Sequence, residues 1–355
     1  MPVPPSLSER LLAWYRDHGR KDLPWQHPAA PYPVWVSEIM LQQTQVQAVI
    51  PYFETFMERF PDVYTLAGAP VDEVLHVWSG LGYYARARNL HKAAGVIVSE
   101  HGGELPRDLD ALMALPGIGR STAAAILALS YGDRHAILDG NVKRVLCRYH
   151  AIEGWPGAGG VARRLWSIAE AHTPSADLKA YTQAFMDLGA TVCTRSQPDC
   201  ETCPLNGDCL ALAEGRETEL PVRKPRKTSP LRNTVFVIVR DPRGRVLLER
   251  RPPTGVWGGL WSFPECEPGT DIGVWCLEHL GLAVQPVREL DALRHTFSHF
   301  RLDIRPSLVA IETRGAVSAV KDDTERQWYD VDGPERIGLA APVTRLLGEL
   351  RSLVD

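Results

Sequence analysis

Four cysteines, Cys193, Cys200, Cys203 and Cys209, fall within seventeen residues at the spacing C-x6-C-x2-C-x5-C, while Cys147, Cys266 and Cys276 are scattered. Thiolates are soft ligands, and four on one short loop can bind zinc or an iron–sulfur cluster; a pair of disulfides is the other use of such a set. The chain opens on a polar, proline-containing segment without the basic-then-apolar order of a signal peptide, and no apolar run is long enough to span a membrane. These features imply a reducing, bacterial cytoplasmic setting, in which clustered cysteines serve metals more often than disulfides. Zinc sites usually show two close pairs and this loop has a single Cys-x2-Cys, so spacing alone leaves zinc and iron open. The loop is expected to be a structural metal site.

The elements that must carry this loop divide in two. A chain of 355 residues has length for about two domains, and its net charge of −4 gives no global nucleic-acid signature. From residue 6 to about 190 apolar residues recur at helical spacing, as in Val36, Ile39, Met40, Val46, Val49, Ile50 and Phe53, and in the Ala-rich run from Thr122 to Leu129. After residue 232 the period shortens. Thr234–Val239 and Arg245–Leu248 flank a turn at Asp241-Pro-Arg-Gly244 and predict a hairpin, Leu302–Ile304 and Ser307–Ile311 predict further strands, and Ile272–Leu280 predicts a helix. Between the two patterns lies Arg223-Lys-Pro-Arg-Lys227, followed by Thr-Ser-Pro, so residues 216–231 are read as a linker. Its charges either touch phosphates or are simply solvated. The expected boundaries are an all-α domain over 1–215 and an α+β domain over 232–355.

Within the helical part, Leu115-Pro-Gly-Ile-Gly-Arg-Ser-Thr122 places a glycine-rich turn before a helix, so outward N–H groups and a positive dipole end can hold a phosphate without regard to sequence. A plain inter-helix turn is the alternative. Leu138-Asp-Gly-Asn-Val-Lys-Arg144 follows, with Asp139 where a helix should start; alone, that is an N-cap worth about 1 kcal/mol. Together, however, the two segments resemble the helix–hairpin–helix, Gly-Pro-Asp superfamily of DNA base-excision glycosylases, a subset of which closes the domain with a [4Fe–4S] cluster at this same cysteine spacing. Val34-Trp-Val-Ser-Glu-Ile-Met-Leu-Gln-Gln-Thr44 resembles the N-terminal catalytic helix of MutY-type adenine glycosylases. Glu38 lies among Val36, Ile39 and Met40, and a carboxylate in apolar surroundings is costly to ionise, which suits a general acid. Ser121 stands where the bifunctional endonuclease III relatives carry a lysine, and a serine hydroxyl cannot form a Schiff base. Ser121 and the extra domain argue against a glycosylase for oxidised pyrimidines, and Glu38 and Asp139 argue against a purely DNA-binding relic.

The second domain resembles the Nudix fold, with Gly255-Val-Trp-Gly-Gly-Leu-Trp-Ser-Phe-Pro-Glu265 as the opening of that family's box. A working hydrolase needs Arg-Glu-x-x-Glu-Glu to gather Mg²⁺, but Val274-Trp275 and Glu278-His279 occupy those places, so the domain is expected to recognise rather than hydrolyse. The resemblance implies that Phe297, Ser298 and His299 probe 8-oxoguanine. It further implies that Leu41, Gln43, Thr44 and Tyr83 wedge the stack or hold that lesion, with Gly117 and Gly119 on the backbone, and that Leu23, Trp25, Gln26 and Gln183 line an adenine pocket. Gln26 is an arginine in some relatives. Glu38 would protonate adenine at N7, Asp139 would stabilise the sugar cation, and Tyr131 and Asn141 would tune the two carboxylates. The implied partner is double-stranded DNA with A:8-oxoguanine or A:G mismatches, bound by a monomer with a [4Fe–4S] cofactor.

Overall fold

The computed structural model describes residues 5–224, 229–297, 299–312, 325–333 and 337–352. Its helices are α1 Leu7–His18, α2 Pro31–Met40, α3 Val46–Arg59, α4 Val63–Gly68, α5 Val71–Val77, α6 Ala85–His101, α7 Leu109–Ala114, α8 Arg120–Tyr131, α9 Gly140–Tyr149, α10 Gly159–His172, α11 Leu178–Asp187, α12 Leu210–Ala213, α13 Ile272–Leu280 and α14 Ala341–Arg351. The strands are β1 Leu231–Arg240, β2 Val246–Arg250, β3 Trp261–Ser262, β4 Glu265–Cys266, β5 Val284–Glu289, β6 Leu293–Thr296, β7 Arg301–Ile311 and β8 Arg326–Tyr329. Packing divides the chain into two compact units: residues 1–68 with 89–226, and residues 69–88 with 227–355. No described helix is long and apolar enough to cross a membrane.

In the first unit the helical period becomes helices because caps and burial agree. Ser6 and Glu9 form a reciprocal capping box at the start of α1, and Leu7, Leu11 and Trp14 turn inward. The Ala-rich run becomes α8, whose residues from Ala123 to Ser130 are buried. Methyl-sized side chains at Ala123, Ala124, Ala125 and Ala128 let α8 pack against both α2 and α11. Leu11 and Trp14 of α1, Val142 and Leu146 of α9, and Tyr181 and Phe185 of α11 then share one core. The stretch following α12 is anchored to the same unit: Leu220 is buried, and Arg216 is ion-paired to Glu153 and Glu214.

The second unit is built on a sheet of order β3-β2-β1-β7-β5, in which β4 pairs with β1, β6 with β7 and β8 with β2. The expected hairpin is present as antiparallel β1 and β2, and Asp241 fixes its turn by accepting from the backbone N–H of Arg243 and Arg245 at 2.9 Å each. The runs Leu302–Ile304 and Ser307–Ile311, read as separate strands, are a single strand, β7, with Pro306 inside it. Pro306 is tolerated because β7 changes neighbours around it: β6 pairs with residues 301–304 and β5 with 307–311. On its other edge β7 runs parallel to β1 over ten residue pairs, Leu231↔Arg301 to Arg240↔Ala310. Helix α13 covers one face through Cys276 and Leu280, which join Val237, Val239 and Leu247 in the core. Helix α5 also belongs here, with Asp72 ion-paired to Arg250 and the Leu75 side chain against Gly338.

Because α8 is closely packed, enlarging it should cost stability. Ala128→Leu is expected to lower the unfolding free energy by about 1–3 kcal/mol, seen as a lower urea midpoint at unchanged slope.

Candidate active site

Two carboxylates occupy opposite kinds of helix end. Glu38 lies in the last turn of α2, which Pro31 starts and which buries Val34, Trp35, Val36, Ser37, Ile39 and Met40 around it. A helix C-terminus carries partial negative charge and opposes ionisation there. The Glu38 carboxyl is pushed up to about 8, first by desolvation and then by the charge of Asp139. Asp139 is the N-cap of α9 and accepts from the Val142 N–H at 2.8 Å. Burial raises its carboxyl above the ordinary range, while the N–H groups of Val142 and Asn141 and the charges of Arg144 and Lys143 pull it back. Both carboxyls are thus raised, but hydrogen bonds and cations oppose the rise at Asp139 alone, which leaves Glu38 as the proton donor of the pair.

Helix α9 joins this pair to the cysteine loop. Arg144 donates through Nη2 to the Asn141 Oδ1 at 2.8 Å and to the Gly189 carbonyl at 2.6 Å, and through Nε to the Cys193 carbonyl at 2.7 Å. One turn on, Arg148 is fully enclosed. It donates to the Leu220, Thr194 and Arg195 carbonyls and, through Nη1, to the Cys193 Sγ at 3.2 Å. All four predicted cysteines line a single small pocket together with Arg148, Asp199, Asn206 and Glu217. Among the described residues no three His, Cys, Asp or Glu side chains converge tightly enough to hold one metal ion. Desolvation raises the thiols of Cys200 and Cys209, and pushes Cys203 up to about 11.

The hairpin lies beside the end of α2. Gly117 has φ +82°, and a Cβ there would sit 2.8 Å from that of Asn89; Gly119 is the N-cap of α8, with open space where a side chain would be. The Gln42 Nε2 approaches the Gly117 carbonyl and the Thr122 hydroxyl at 3.4 Å each, which brings the turn carrying Leu41, Gln43 and Thr44 to the hairpin. Ser121 accepts from the Leu138 N–H at 2.9 Å, so its hydroxyl fixes the residue just before Asp139. Tyr131 ends α8, with the Arg107 guanidinium 4.8 Å from its ring centroid and Arg107 forked onto Asp133.

The predicted pocket residues also gather. Leu23 and Trp25 are buried, with Trp25 edge-on to Phe53 at 5.3 Å. The Gln26 amide closes its own loop, accepting from the Leu23 N–H and donating to the Arg20 carbonyl, both at 3.0 Å. Gln183 donates to Asp187 at 2.8 Å. In the second unit, Phe297 stacks on Phe300 at 4.5 Å and lies 5.2 Å from Trp257, His299 stands edge-on to Phe300, and Ser298 lies outside the described residues. Tyr83 belongs to residues 69–88 of that unit and is half-exposed. Gln43 and Tyr83 both adopt left-handed backbone, with φ of 59° and 49°.

Sequence reasoning missed Arg20, Asp187, Arg107, Asp133, Arg144 and Arg148 as parts of this site. For the arginines of α9 the i,i+4 spacing was a usable signal; for Arg20 and Asp187, 167 residues apart, there was none.

Comparison with known proteins defines the class first. Residues 36–171 match the family described as HhH-GPD superfamily base excision DNA repair protein, and residues 234–349 match the NUDIX domain. A thermostable thymine-DNA glycosylase is similar in structure at a TM-score of 0.52 and 27% identity over 58% of this chain and 95% of that one. An endonuclease III in a DNA complex shares the fold at a TM-score of 0.51 and 22% identity over 59% and 94%. The two domains are therefore a helix–hairpin–helix glycosylase domain and a Nudix-like domain. The adenine DNA glycosylase of Buchnera aphidicola subsp. Acyrthosiphon pisum is 38% identical over 96% of both chains, and that of Homo sapiens is 36% identical over 87% of this chain and 68% of its own. The chain belongs to the MutY-type adenine DNA glycosylases, hydrolases of N-glycosyl bonds in base excision repair.

A Cβ on Gly189 would lie 2.5 Å from the Asn141 Cβ and 3.0 Å from its Cα, so Gly189→Ala must part the 188–192 turn from the first turn of α9, which Asp139 caps. Single-turnover base release should fall about a hundredfold, with duplex affinity in a gel-shift assay little changed.

Proposed function

We propose that this glycosylase excises undamaged adenine mispaired with 8-oxoguanine, and with guanine, and leaves the DNA strand intact. The observation that carries the chemistry is Glu38, a carboxyl held protonated to about pH 8 beside Asp139 at a helix N-terminus. The duplex is gripped through its phosphates by the hairpin at 115–119 and the basic stretch 223–227. Adenine is flipped out at a cost of a few kcal/mol. Glu38 protonates it at N7, the sugar develops oxocarbenium character, Asp139 stabilises that cation, and water completes hydrolysis. Tyr131 and Asn141 orient the carboxylates, a role supported by the Arg107 contact on one and the Arg144 hydrogen bond on the other. Ser121 supplies no amine, which supports base removal without a lyase step.

Residues 1–215 carry the catalytic domain, 216–231 connect, and 232–355 read the lesion through Phe297, Ser298 and His299. Val274 and Trp275 stand on α13 where a Nudix hydrolase needs charged residues, and Val274 is exposed. Leu41, Gln43, Thr44 and Tyr83 contact the lesion or the stack; the left-handed backbone at Gln43 and Tyr83 supports this, since such strain persists where a ligand is clamped. The four cysteines would hold a [4Fe–4S] cluster. All four line one pocket, and four thiolates are the donor set that such a cluster takes. Such a cluster would tie the loop rigidly, and Arg148 donates a hydrogen bond to the Cys193 sulfur that would hold it.

A labelled duplex with one A:8-oxoguanine pair tests the reading. Breaks only after alkali are expected; no break in either lane, with the duplex bound, would reduce the chain to a binding protein. Glu38→Gln and Asp139→Asn should each cost at least about a hundredfold in release. Asparagine still caps α9, so that loss reports charge rather than folding. Only the protonated form of Glu38 donates, so release should hold level below about pH 8 and fall as pH rises through it. The ionised Asp139 is needed as well, so an acid limb above the ordinary aspartate range should complete a bell.

A further inference from the structure

Away from the two carboxyls, α9 and α10 end side by side on a pair of half-buried histidines. His150 is the C-cap of α9, and His172 lies in the last turn of α10. Their Nε2 atoms are 2.8 Å apart, with ring centres at 5.1 Å and planes 28° from parallel, so the imidazoles meet end to end rather than face to face. Ring nitrogens that meet in this way hold one hydrogen between them. One ring donates through its Nε2–H, while the other accepts on a bare Nε2 and keeps its own hydrogen on Nδ1. A metal ion does not fit between them, since it bonds imidazole nitrogen at about 2.0–2.1 Å on each side. A first added proton can go to the free Nδ1 of the donating ring and leave the bond intact. A second must go to the accepting Nε2, which sets two N–H groups against each other.

The surroundings oppose that second proton. Burial first, and then the charges of His172 and of Arg164 on α10, push His150 down to about 4, and burial also lowers His172. The helix C-termini favour a cation here, but desolvation wins. On α9, Tyr149 stands edge-on to both rings; its hydroxyl accepts from Arg10 of α1 at 2.9 Å, and Arg10 is ion-paired to Asp208 at 2.8 Å. We propose that His150 and His172 form a pH-sensitive clasp between the C-terminal ends of α9 and α10, closed while the pair carries at most one added proton and opened by the second. The unfolded chain accepts both protons near the ordinary 6.5, whereas the folded pair refuses one of them. The stability that the closed clasp contributes is therefore complete above about pH 6.5 and is lost as pH falls toward 4. Acid thus loosens α9 from the end opposite its Asp139 cap.

The test is a nitrogen-15 titration of the imidazoles in the full, unaltered chain, from about pH 8 to about pH 4.5. The pair is recognised by the nitrogen–nitrogen coupling carried across an N–H···N bond, with one Nε2 protonated and one bare at neutral pH. Over this range the pair is expected to take up one proton fewer than two separate histidines. Absence of the coupling, or two rings that both become imidazolium at the ordinary 6.5, overturns the proposal. A second measurement compares urea unfolding of the wild type with His150→Gln/His172→Gln. Below about pH 6.5 the wild-type folding constant should fall more steeply than that of the variant, by up to about tenfold per pH unit. Equal pH slopes overturn the clasp, and where the variant does not fold the titration of the unaltered chain decides by itself.

Discussion

Two carboxyls lie close enough to feel each other, and the first unit is arranged so that they do not share one fate. Glu38 sits where the α2 dipole is negative and apolar side chains exclude water; Asp139 sits where the α9 dipole is positive and backbone N–H groups meet it. Burial raises both, and the α9 N–H groups with the charges of Arg144 and Lys143 oppose that rise only at Asp139. The arrangement demands that α2 end and α9 begin beside one another. The small residues of α8 allow close packing against α2, and the Ser121 hydroxyl holds the chain just ahead of α9.

The cysteine loop adds a second restraint on the same helix. Arg144 and Arg148 project from successive turns of α9 and donate to loop carbonyls at 193, 194 and 195 and to the carbonyls of Gly189 and Leu220 on either side of it. A buried arginine is stable only when so saturated. The loop therefore supplies what the helix needs, and the helix supplies what the loop needs.

Much of the site was legible because it is local in sequence. Asp139 announced itself as an N-cap, the hairpin by its glycines, and the cysteines by spacing; the β1–β2 hairpin followed from alternation and turn chemistry. What stayed hidden was made by long-range approach. Nothing near Arg20 in the chain indicates Asp187, and nothing in the stretch from Val71 to Val77 distinguishes a helix packed with the sheet unit from its helical neighbours. The continuity of β7 through Pro306 stayed hidden for another reason: a proline ordinarily interrupts a strand, and the exchange of β6 for β5 makes its missing N–H harmless.

The first unit is also closed by its ends. The face of α1 that carries Leu11 and Trp14 packs on α11, and Arg20 waits for a carboxylate that comes 167 residues later. On a ribosome adding about 5–20 residues per second, that interval is on the order of ten to thirty seconds. During it α1 lacks the α11 face on which it packs, while α2 and then α9, beside which the two carboxyls sit, are made. The first unit is thus closed only once α11 has been made, and until then the Leu7, Leu11 and Trp14 face of the amphipathic α1 stays open.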